Sequence, residues 1–396
     1  MICPNCGSVG CCYPFYEVRD VPTNSCLLVE DRARALDFPT GDIALSVCRG
    51  CSFIFNAAWD PHCTIYSDQY EETQGFSPTF NAFNRAIAEE LISSYDIRGK
   101  TVLEIGCGKG EFLSLICKLG GNRGIGYDPS FVPARQHSDQ DIRFVRKFFP
   151  GNTKEIAPDL LCCKMTLEHI GQTHRFLSSV RSVANRKDSV IFFQVPDVGR
   201  ILKEGAFWDV YYEHCSYFSA TSLKHLFIGT GFAVQRIWTG YDGQYLMILT
   251  SPVERRSEVS PGDQDGVAAI IRSSGSFATA AARSRATWLS RLRNWAAAGQ
   301  RTVLWGSGSK AVALLTTLGV HDEIEHVVDI NPYRVGKFLP GTGQRIVAPA
   351  FLREYRPENV VIMNPVYRDE VERELARQRC EPRVYTILDL EPDRLS

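Results

Sequence analysis

The sequence predicts an α/β protein with a doubly wound sheet, a small cysteine-rich module before it and a second, smaller α/β unit after it. Three observations support this. A chain of 396 residues is longer than one hydrophobic core usually serves, so two or three domains are expected. Residues 98–250 alternate strand-like and helix-like patterns, which is typical of a parallel sheet covered by helices. Seven of the 14 cysteines lie in residues 1–51, which marks that segment as a separate module.

Charge and hydropathy exclude some classes of function. The 44 Lys and Arg residues balance 45 Asp and Glu residues, so long-range attraction to nucleic acid or to an anionic membrane is not expected. No apolar run approaches the roughly 20 residues of a membrane span, and the start of the chain does not read as a secretory leader. We therefore expect a cytoplasmic protein whose cysteines are thiols or metal ligands rather than disulfides.

Residues 1–65 are predicted to bind a structural Zn²⁺. Cys3 and Cys6 form one Cys-x-x-Cys pair, and Cys48 and Cys51 form another. Two such pairs supply the four thiolates of a tetrahedral zinc site, although the 41 residues between them exceed the gap of a compact zinc ribbon. The alternative is a small core with free thiols. Spare ligands that could replace a cysteine of the pairs are Cys11, Cys12, Cys26, Cys63 and His62.

Residues 66–250 are predicted to form the doubly wound sheet. A helix is expected after Ser77, which can cap it, with Pro78 in its first turn. The last two strands are joined by residues 239–243, too few for a helical crossover, so this pair is expected to be antiparallel. The predicted strands are Thr101–Ile105, Gly124–Tyr127, Asp159–Cys163, Val190–Val195, Ala233–Trp238 and Tyr245–Thr250, with helices such as Glu111–Leu119 and Arg175–Val183 between the earlier ones.

The remaining chain is predicted to hold a linker and a third domain. Within residues 251–298, a polar linker over 251–275 precedes a helix at 276–298. Residues 299–396 are predicted to form the third domain, which begins with a second strand–turn–helix unit. Further strands are predicted to end at Asp329 and to cover Val360–Met363.

The glycine-rich turn after the first predicted strand of the sheet indicates a nucleotide-like ligand. Gly106, Gly108 and Gly110 allow a sharp turn and leave room for a ligand against the backbone. Glu104 precedes the turn and suits a cationic or hydroxylated group. Asp128 ends the next strand, 18 residues beyond Gly110, where an acid can bind ribose hydroxyls. The alternative is a tight turn that binds no ligand.

Two other segments carry chemistry. His214 lies beside Glu213 in an aromatic segment, and His169 follows the strand Asp159–Cys163, so both histidines are candidate bases, or else core residues. Residues 306–311 match the Gly-x-Gly-x-x-Ala spacing of dinucleotide sites, with Asp329 beyond them. This second turn could bind NAD or a single phosphate, or simply start a helix.

The turn Glu104–Gly110 resembles motif I of class I methyltransferases, which bind S-adenosylmethionine. Nearly the whole chain resembles the sugar 3-C-methyltransferases of deoxysugar pathways, of the tylosin and tetronitrose type. The resemblance covers this turn, the paired cysteines, the segment Tyr211–Ser219 and the tail 329–342. The resemblance implies a zinc-binding head, a class I methyltransferase sheet, and a Rossmann-like C-terminal domain without NAD that helps to hold a nucleotide sugar.

The same resemblance implies roles for individual residues. It assigns Tyr211, Glu213 and His214 to the active site, with His214 as the base, and it adds His169. A further tyrosine of the family falls on Tyr70 or on Tyr66. The chain departs from the family at Tyr212, which replaces a histidine, and at Glu104, where the family usually has Asp.

These residues predict a reaction and its alternatives. The substrate is expected to be a small molecule, namely a nucleotide-linked 4-keto sugar that is methylated on carbon. His214, oriented by Glu213, is expected to remove the proton next to the ketone before the methyl group is transferred. Tyr211 and His169 are expected to stabilise the enolate oxygen. The alternatives are methylation of a hydroxyl oxygen and a non-catalytic scaffold that binds zinc and a nucleotide sugar.

Overall fold

The computed structural model describes residues 1–135, 141–151, 156–184, 187–254 and 264–390. Three sheets of four, seven and five strands follow one another along this part of the chain. None of the described helices combines the length and the apolar character needed to cross a membrane.

The N-terminal sheet is antiparallel and includes one strand from far along the chain. Its order is β1 (Cys12–Pro22), β2 (Thr40–Cys48), β3 (Ile54–Asn56) and β9 (Ser216–Tyr217), with the short helix α1 (Arg32–Leu36) between β1 and β2. Because β9 belongs to the segment that contains the candidate base, the N-terminal module and that segment are built as one sheet.

The central sheet has the predicted doubly wound architecture. Helix α2 (Pro78–Tyr95) precedes it, and the Ser77 hydroxyl caps the helix by accepting a hydrogen bond from the Phe80 amide at 3.2 Å. The elements that follow are β4 (Thr101–Ile105), α3 (Glu111–Gly120), β5 (Arg123–Tyr127), β6 (Ile142–Val145), β7 (Leu160–Lys164), α4 (Thr173–Val183), β8 (Val190–Pro196), α5 (Val198–Glu204), α6 (Ala220–Gly229), β10 (Phe232–Gly240) and β11 (Tyr245–Pro252).

The order of this sheet is β10-β11-β8-β7-β4-β5-β6. Strand β11 is antiparallel to both of its neighbours, and the pairs from β8 to β6 are parallel, so the predicted topology is confirmed. The carboxyl ends of β4 and β7 lie side by side near the point where the strand order reverses. Ligands bind at such switch points in open α/β sheets.

A long helix leads to the third sheet. Helix α7 (Gln264–Ala297) begins 12 residues before position 276, so the prediction of a linker throughout 251–275 is wrong for residues 264–275. Residues 255–263 of the predicted linker lie outside the described residues. The third sheet is parallel, in the order β14-β13-β12-β15-β16. Its elements are β12 (Thr302–Trp305), α8 (Ser309–Leu318), β13 (His326–Val328), β14 (Arg345–Val347), α9 (Leu352–Tyr355), β15 (Asn359–Ile362), α10 (Arg368–Arg377) and β16 (Arg383–Thr386).

One hydrophobic cluster joins the N-terminal sheet, α7 and the C-terminal sheet. Trp208 and Trp288 are both fully buried in it, together with Ile43 of β2 and Leu315 of α8. Truncating a buried tryptophan typically destabilises a protein by about 3–5 kcal/mol. A shared core of this kind fixes the three parts relative to one another and so fixes the cavity between them.

Candidate active site

A cavity of about 570 Å³ lies at the carboxyl ends of the central strands. Its volume is within the usual range of about 300–1,000 Å³ for small-molecule sites. The N-terminal module lines it through Cys26, the central sheet through Glu104, the segment before β9 through His214, and the C-terminal unit through Lys310 and Asn331. Every part of the chain therefore contributes to one site.

The predicted cofactor turn lines this cavity, and its glycines are required by protein packing as well. Gly106, Gly108 and Gly110 have φ values of +72°, +53° and +86°. A Cβ atom at Gly106 would lie 1.9 Å from Thr166 Oγ1, and one at Gly108 would lie 2.6 Å from Glu72 Oε1. A side chain at position 106 would therefore clash with Thr166 even before a ligand binds, whereas at position 108 the end of the flexible Glu72 side chain would have to move.

Asp128 fixes the shape of the turn. Its Oδ2 accepts a hydrogen bond from the Gly108 amide at 2.9 Å, and its Oδ1 accepts bonds from the amide and the hydroxyl of Ser130, each at 2.7 Å. A carboxylate has about four acceptor positions. Asp128 can therefore hold the loop and still accept a hydrogen bond from a ligand in the cavity.

Glu104 has the properties expected of a ligand-binding acid. It is buried, and no hydrogen-bond partner is found for its Oε2 among the described residues. Burial raises the pKa of Glu104 to about 8, and the nearby Lys164 ammonium acts in the opposite direction. An orphaned carboxylate oxygen on a cavity wall fits the amine or hydroxyl groups of S-adenosylmethionine.

Two buried lysines near the cofactor turn, Lys109 and Lys164, were not singled out from the sequence. Lys109, inside the glycine turn, donates to the carbonyl oxygens of Tyr70 at 2.6 Å and Ser130 at 3.0 Å, and so ties the preceding segment to the turn. Lys164 at the end of β7 donates to Asn84 Oδ1 at 2.5 Å. The position of Lys109 within the glycine turn was the available signal, whereas no local pattern marks Lys164.

The candidate catalytic side chains form a second cluster on the same cavity wall. The rings of His169 and His214 are perpendicular, with centroids 4.8 Å apart, and the Tyr211 ring lies 4.1 Å from His214. The Tyr66 hydroxyl lies 2.9 Å from His169 Nδ1. Burial lowers the pKa of His169 to about 4 and lowers the pKa of His214 well below its usual value, so both rings are neutral near pH 7.

Glu213 has different partners from those expected. Its carboxylate accepts hydrogen bonds from Ser25 Oγ and, at 3.3 Å, from Asn24 Nδ2. Burial raises the pKa of Glu213, and hydrogen bonds from Ser25, Asn24 and the Tyr70 hydroxyl act in the opposite direction. These bonds fasten the His214 segment to the N-terminal module instead of directing the carboxylate to the imidazole. Both candidate tyrosines are therefore used, Tyr66 at His169 and Tyr70 at Glu213.

Tyr212, where the chain departs from the family pattern, does not line the cavity. Its side chain is buried against the N-terminal sheet, and its hydroxyl accepts a hydrogen bond from the Asp60 amide at 2.9 Å. A Cβ atom at Gly41 would lie 2.4 Å from the Tyr212 ring. The substitution is thus accommodated by packing between domains, and it does not by itself change the cavity wall.

The second glycine turn contacts the other domains. The Ser309 hydroxyl is 2.7 Å from Ser25 Oγ, and the Lys310 ammonium forms an ion pair with Asp209. Asp329 Oδ2 accepts a hydrogen bond from the Ser307 amide at 2.9 Å. The amino end of α8 therefore faces the cavity beside the candidate catalytic cluster.

The four predicted zinc ligands lie together. Cys3 Sγ is 3.8 Å from Cys51 Sγ, Cys6 Sγ is 3.8 Å from Cys48 Sγ, and the four sulfur atoms all lie within 4.8 Å of one another. Zinc–sulfur bonds of about 2.3 Å in a tetrahedron place neighbouring sulfurs about 3.8 Å apart, so the donor set fits this ion. The Asn5 amide reaches both Cys51 Sγ, at 3.6 Å, and the Ser222 carbonyl, at 3.0 Å, which links the cluster to the central domain.

Comparison with known proteins identifies two parts of the chain. A methyltransferase domain model matches residues 80–237, and a C-methyltransferase C-terminal domain model matches residues 267–382. The C-methyltransferase NovU of Streptomyces niveus is 28% identical over 289 residues, which are 69% of this chain and 68% of NovU.

Solved structures were also compared. A putative S-adenosylmethionine-dependent methyltransferase from Listeria monocytogenes is 15% identical, with a TM-score of 0.35, over 44% of this chain and 100% of the other. Magnesium protoporphyrin IX methyltransferase from Synechocystis PCC 6803 is 14% identical, with a TM-score of 0.35, over 43% of this chain and 83% of the other.

The doubly wound sheet with its antiparallel β11, together with the methyltransferase domain match, defines an S-adenosylmethionine-dependent methyltransferase of class I. The C-terminal domain match and the similarity to NovU narrow this class. Over these parts the chain is similar to C-methyltransferases, in agreement with the resemblance that its motifs indicated.

Proposed function

We propose that the enzyme methylates a carbon atom of a nucleotide-linked 4-keto sugar. The observation that carries the proposal is that His214, His169 and Tyr211 line the same cavity as the cofactor turn. A methyl donor and a base held in one cavity can act on the same carbon. Such orientation of reacting groups contributes a large part of enzymatic rate acceleration.

The cofactor side of the proposal uses the acids at the ends of β4 and β5. When bound, S-adenosylmethionine supplies an electrophilic methyl group carried on a sulfonium. Glu104 would accept hydrogen bonds from its cationic or hydroxylated groups, and Asp128 from its ribose hydroxyls. Lys109 would hold the segment around Tyr70 over the turn, because it donates to the Tyr70 carbonyl.

The base is proposed to be His214. A ketone acidifies the neighbouring C–H bond, and a neutral imidazole can accept the proton. Burial raises the pKa of the Tyr211 phenol well above its usual value, so this hydroxyl stays protonated and can donate a hydrogen bond to the enolate oxygen, as can His169. Glu213 is proposed to act by holding the segment in place through Ser25 and Asn24, because its carboxylate bonds to them.

The nucleotide is proposed to lie against the C-terminal unit. The amino end of α8 lines the cavity and has no side-chain cap, and backbone N–H groups at a helix start favour phosphate oxygens. Lys310 lies on the same cavity wall. NovU is named a C-methyltransferase, and the domain that matches residues 267–382 is described as the C-terminal domain of such enzymes. This placement follows the resemblance to sugar 3-C-methyltransferases.

The test of the base is His214→Asn. Asn can still form hydrogen bonds but cannot accept a proton near neutral pH, so turnover should fall by about 10²–10⁴, with cofactor affinity little changed. In the presence of S-adenosylhomocysteine and deuterated water, the parent should exchange the proton next to the ketone and the variant should not. His321→Asn, on the exposed surface of the C-terminal unit, is the matched control and should behave as the parent.

Each contrary outcome of this test has a definite meaning. Exchange at the parental rate in His214→Asn would mean that another group is the base, with His169 or Tyr66 next to be tested. Methylation of a hydroxyl without exchange in the parent would favour the O-methyltransferase. Failure to bind S-adenosylmethionine in calorimetry would favour the scaffold.

A zinc ion is proposed to bind Cys3, Cys6, Cys48 and Cys51, where it would cross-link the N-terminal module. Metal analysis should find about one zinc per chain, and Cys51→Ser should release it and unfold this module first. Cys380→Ser, a buried cysteine of the C-terminal unit, is the control and should keep the ion. Freshly purified protein without zinc would contradict the assignment.

A further inference from the structure

Glu168 is a buried acid that the proposed reaction does not use. It follows β7 in the turn Leu167–His169, and its side chain lines the cavity while only 1% of the residue is exposed. No hydrogen-bond partner is found for either of its carboxylate oxygens among the described residues. A buried carboxylate without a partner is costly, and proteins usually retain one only where something else binds it.

The two cavity histidines lie close to this carboxylate. One ligand atom from each of Glu168, His169 and His214 lies within 4.8 Å of the other two. The Tyr66 hydroxyl restrains the His169 ring at 2.9 Å, as the partners of metal-bound imidazoles commonly do. Two imidazoles and one carboxylate beside an open cavity form the ligand set of many zinc and iron(II) sites.

We propose that Glu168, His169 and His214 form a second metal site, which binds a divalent first-row cation such as Zn²⁺ or Co²⁺ and thereby inhibits methyl transfer. The binding site follows from the geometry alone. The inhibition rests on the proposed function, because an imidazole that donates its lone pair to a metal cannot accept a proton from the substrate. The four-cysteine cluster lies elsewhere in the chain and remains a separate site.

The binding test uses the full chain with its four-cysteine site already filled with zinc. Titration with Co²⁺ should add about one ion per chain, with the weak visible bands of nitrogen and oxygen ligands and without the strong near-ultraviolet absorption of cobalt–thiolate bonds. Glu168→Gln should weaken this binding at least about tenfold. Glu72→Gln removes another acid that lines the same cavity and should leave the binding unchanged.

The same Co²⁺ titration should lower turnover in parallel with site occupancy, and a weak chelator should restore it. The site is refuted if the chain takes up no additional ion, or if Glu168→Gln binds that ion as tightly as the parent. If the ion binds as expected but turnover is unchanged, the inhibition is refuted. The role of His214 is tested separately by deuterium exchange in the metal-free site, so the two failures are distinguishable.

Discussion

The two glycine turns of the molecule share two backbone hydrogen bonds but differ in length and in surroundings, with five residues between β4 and α3 and three between β12 and α8. The amide of Gly106 bonds to the Tyr127 carbonyl at 2.8 Å, and the amide of Gly306 bonds to the Val328 carbonyl at 2.8 Å. In each turn, an aspartate at the end of the next strand accepts a hydrogen bond from a backbone amide of the turn at 2.9 Å; the two aspartates are Asp128 and Asp329.

The difference lies in the residue two positions before the first glycine and in what the turn contacts. In the central sheet this residue is Glu104, a buried acid with an orphaned oxygen, whereas in the C-terminal sheet it is the fully buried Leu304. The second turn instead bonds to other domains, Ser309 to Ser25 and Lys310 to Asp209.

The spacing of glycines therefore predicts a strand–helix turn, but it does not predict which ligand the turn binds. Both turns bring backbone amides to the cavity and have an aspartate at the end of the next strand, but only the first has an acid two positions before its first glycine. The Gly-x-Gly-x-x-Ala spacing of residues 306–311 is therefore weak evidence for NAD binding.

Alanine substitutions in the two turns should have the most unequal effects. Gly106 and Gly306 both have positive φ, at +72° and +103°, so Ala strains either backbone by about 1–2 kcal/mol. Only at position 106 would the Cβ also meet Thr166 Oγ1 at 1.9 Å, since at position 306 the nearest atom is 3.7 Å away. Calorimetry should show loss of S-adenosylmethionine affinity by at least about 10²-fold in Gly106→Ala and a change below about threefold in Gly306→Ala.

Equal losses of affinity in the two alanine variants would mean that backbone strain alone, or a cofactor at the second turn, explains the result. Zinc content serves as the folding control and should be the same in both variants.

The acid before the first turn should have the next largest effect. Glu104→Gln keeps the shape of the side chain but cannot become charged beside a bound cation. The hydrogen bonds that a charged Glu104 would accept, of about 1.5–3 kcal/mol each, are therefore weakened, and cofactor affinity should fall about 10–100-fold. Leu304→Met, at the corresponding position of the second turn, is the control and should leave this affinity unchanged. Parental affinity in Glu104→Gln would exclude Glu104 from the site.

Local patterns were sufficient for most of the fold. Cap, glycine and periodicity signals predicted α2, β4 and the antiparallel pairing of β11, because these features depend on short-range sequence. Strand β6 (Ile142–Val145) was missed because it has four residues and lies at the edge of the sheet. Polar residues at 264–275 resemble a linker, yet they belong to α7 because its buried face packs on other elements.

The contacts of the candidate site were less accessible to sequence reasoning. Motifs drew attention to His169 and His214, since each lies in a recognisable segment. The bonds from Asn24 and Ser25 to Glu213 span nearly 190 residues, so no local spacing could reveal them. Tertiary contacts determine the direction of such a carboxylate. The position of Glu213 next to His214 in the sequence therefore did not predict its hydrogen-bond partners.

Lys310→Met tests whether the second turn serves mainly as a contact between domains. Lys310 pairs with Asp209, which Arg200 also holds at 2.6 Å, so the aspartate keeps one cationic partner after the change. We expect a loss of about 1–3 kcal/mol in the free energy of unfolding, measured in urea, because a buried charge loses one of its hydrogen bonds. KM for the proposed nucleotide-sugar substrate should rise and cofactor affinity should stay the same, since Lys310 lies on the cavity wall proposed to hold that substrate. The matched control is Lys337→Met, which breaks an ion pair of the same unit with the exposed Glu30, a contact worth about 1 kcal/mol or less. If both variants lose equally little stability and KM is unchanged, the second turn is neither an interdomain contact nor a substrate site, and its likeness to the first turn reflects only the way a parallel strand enters a helix.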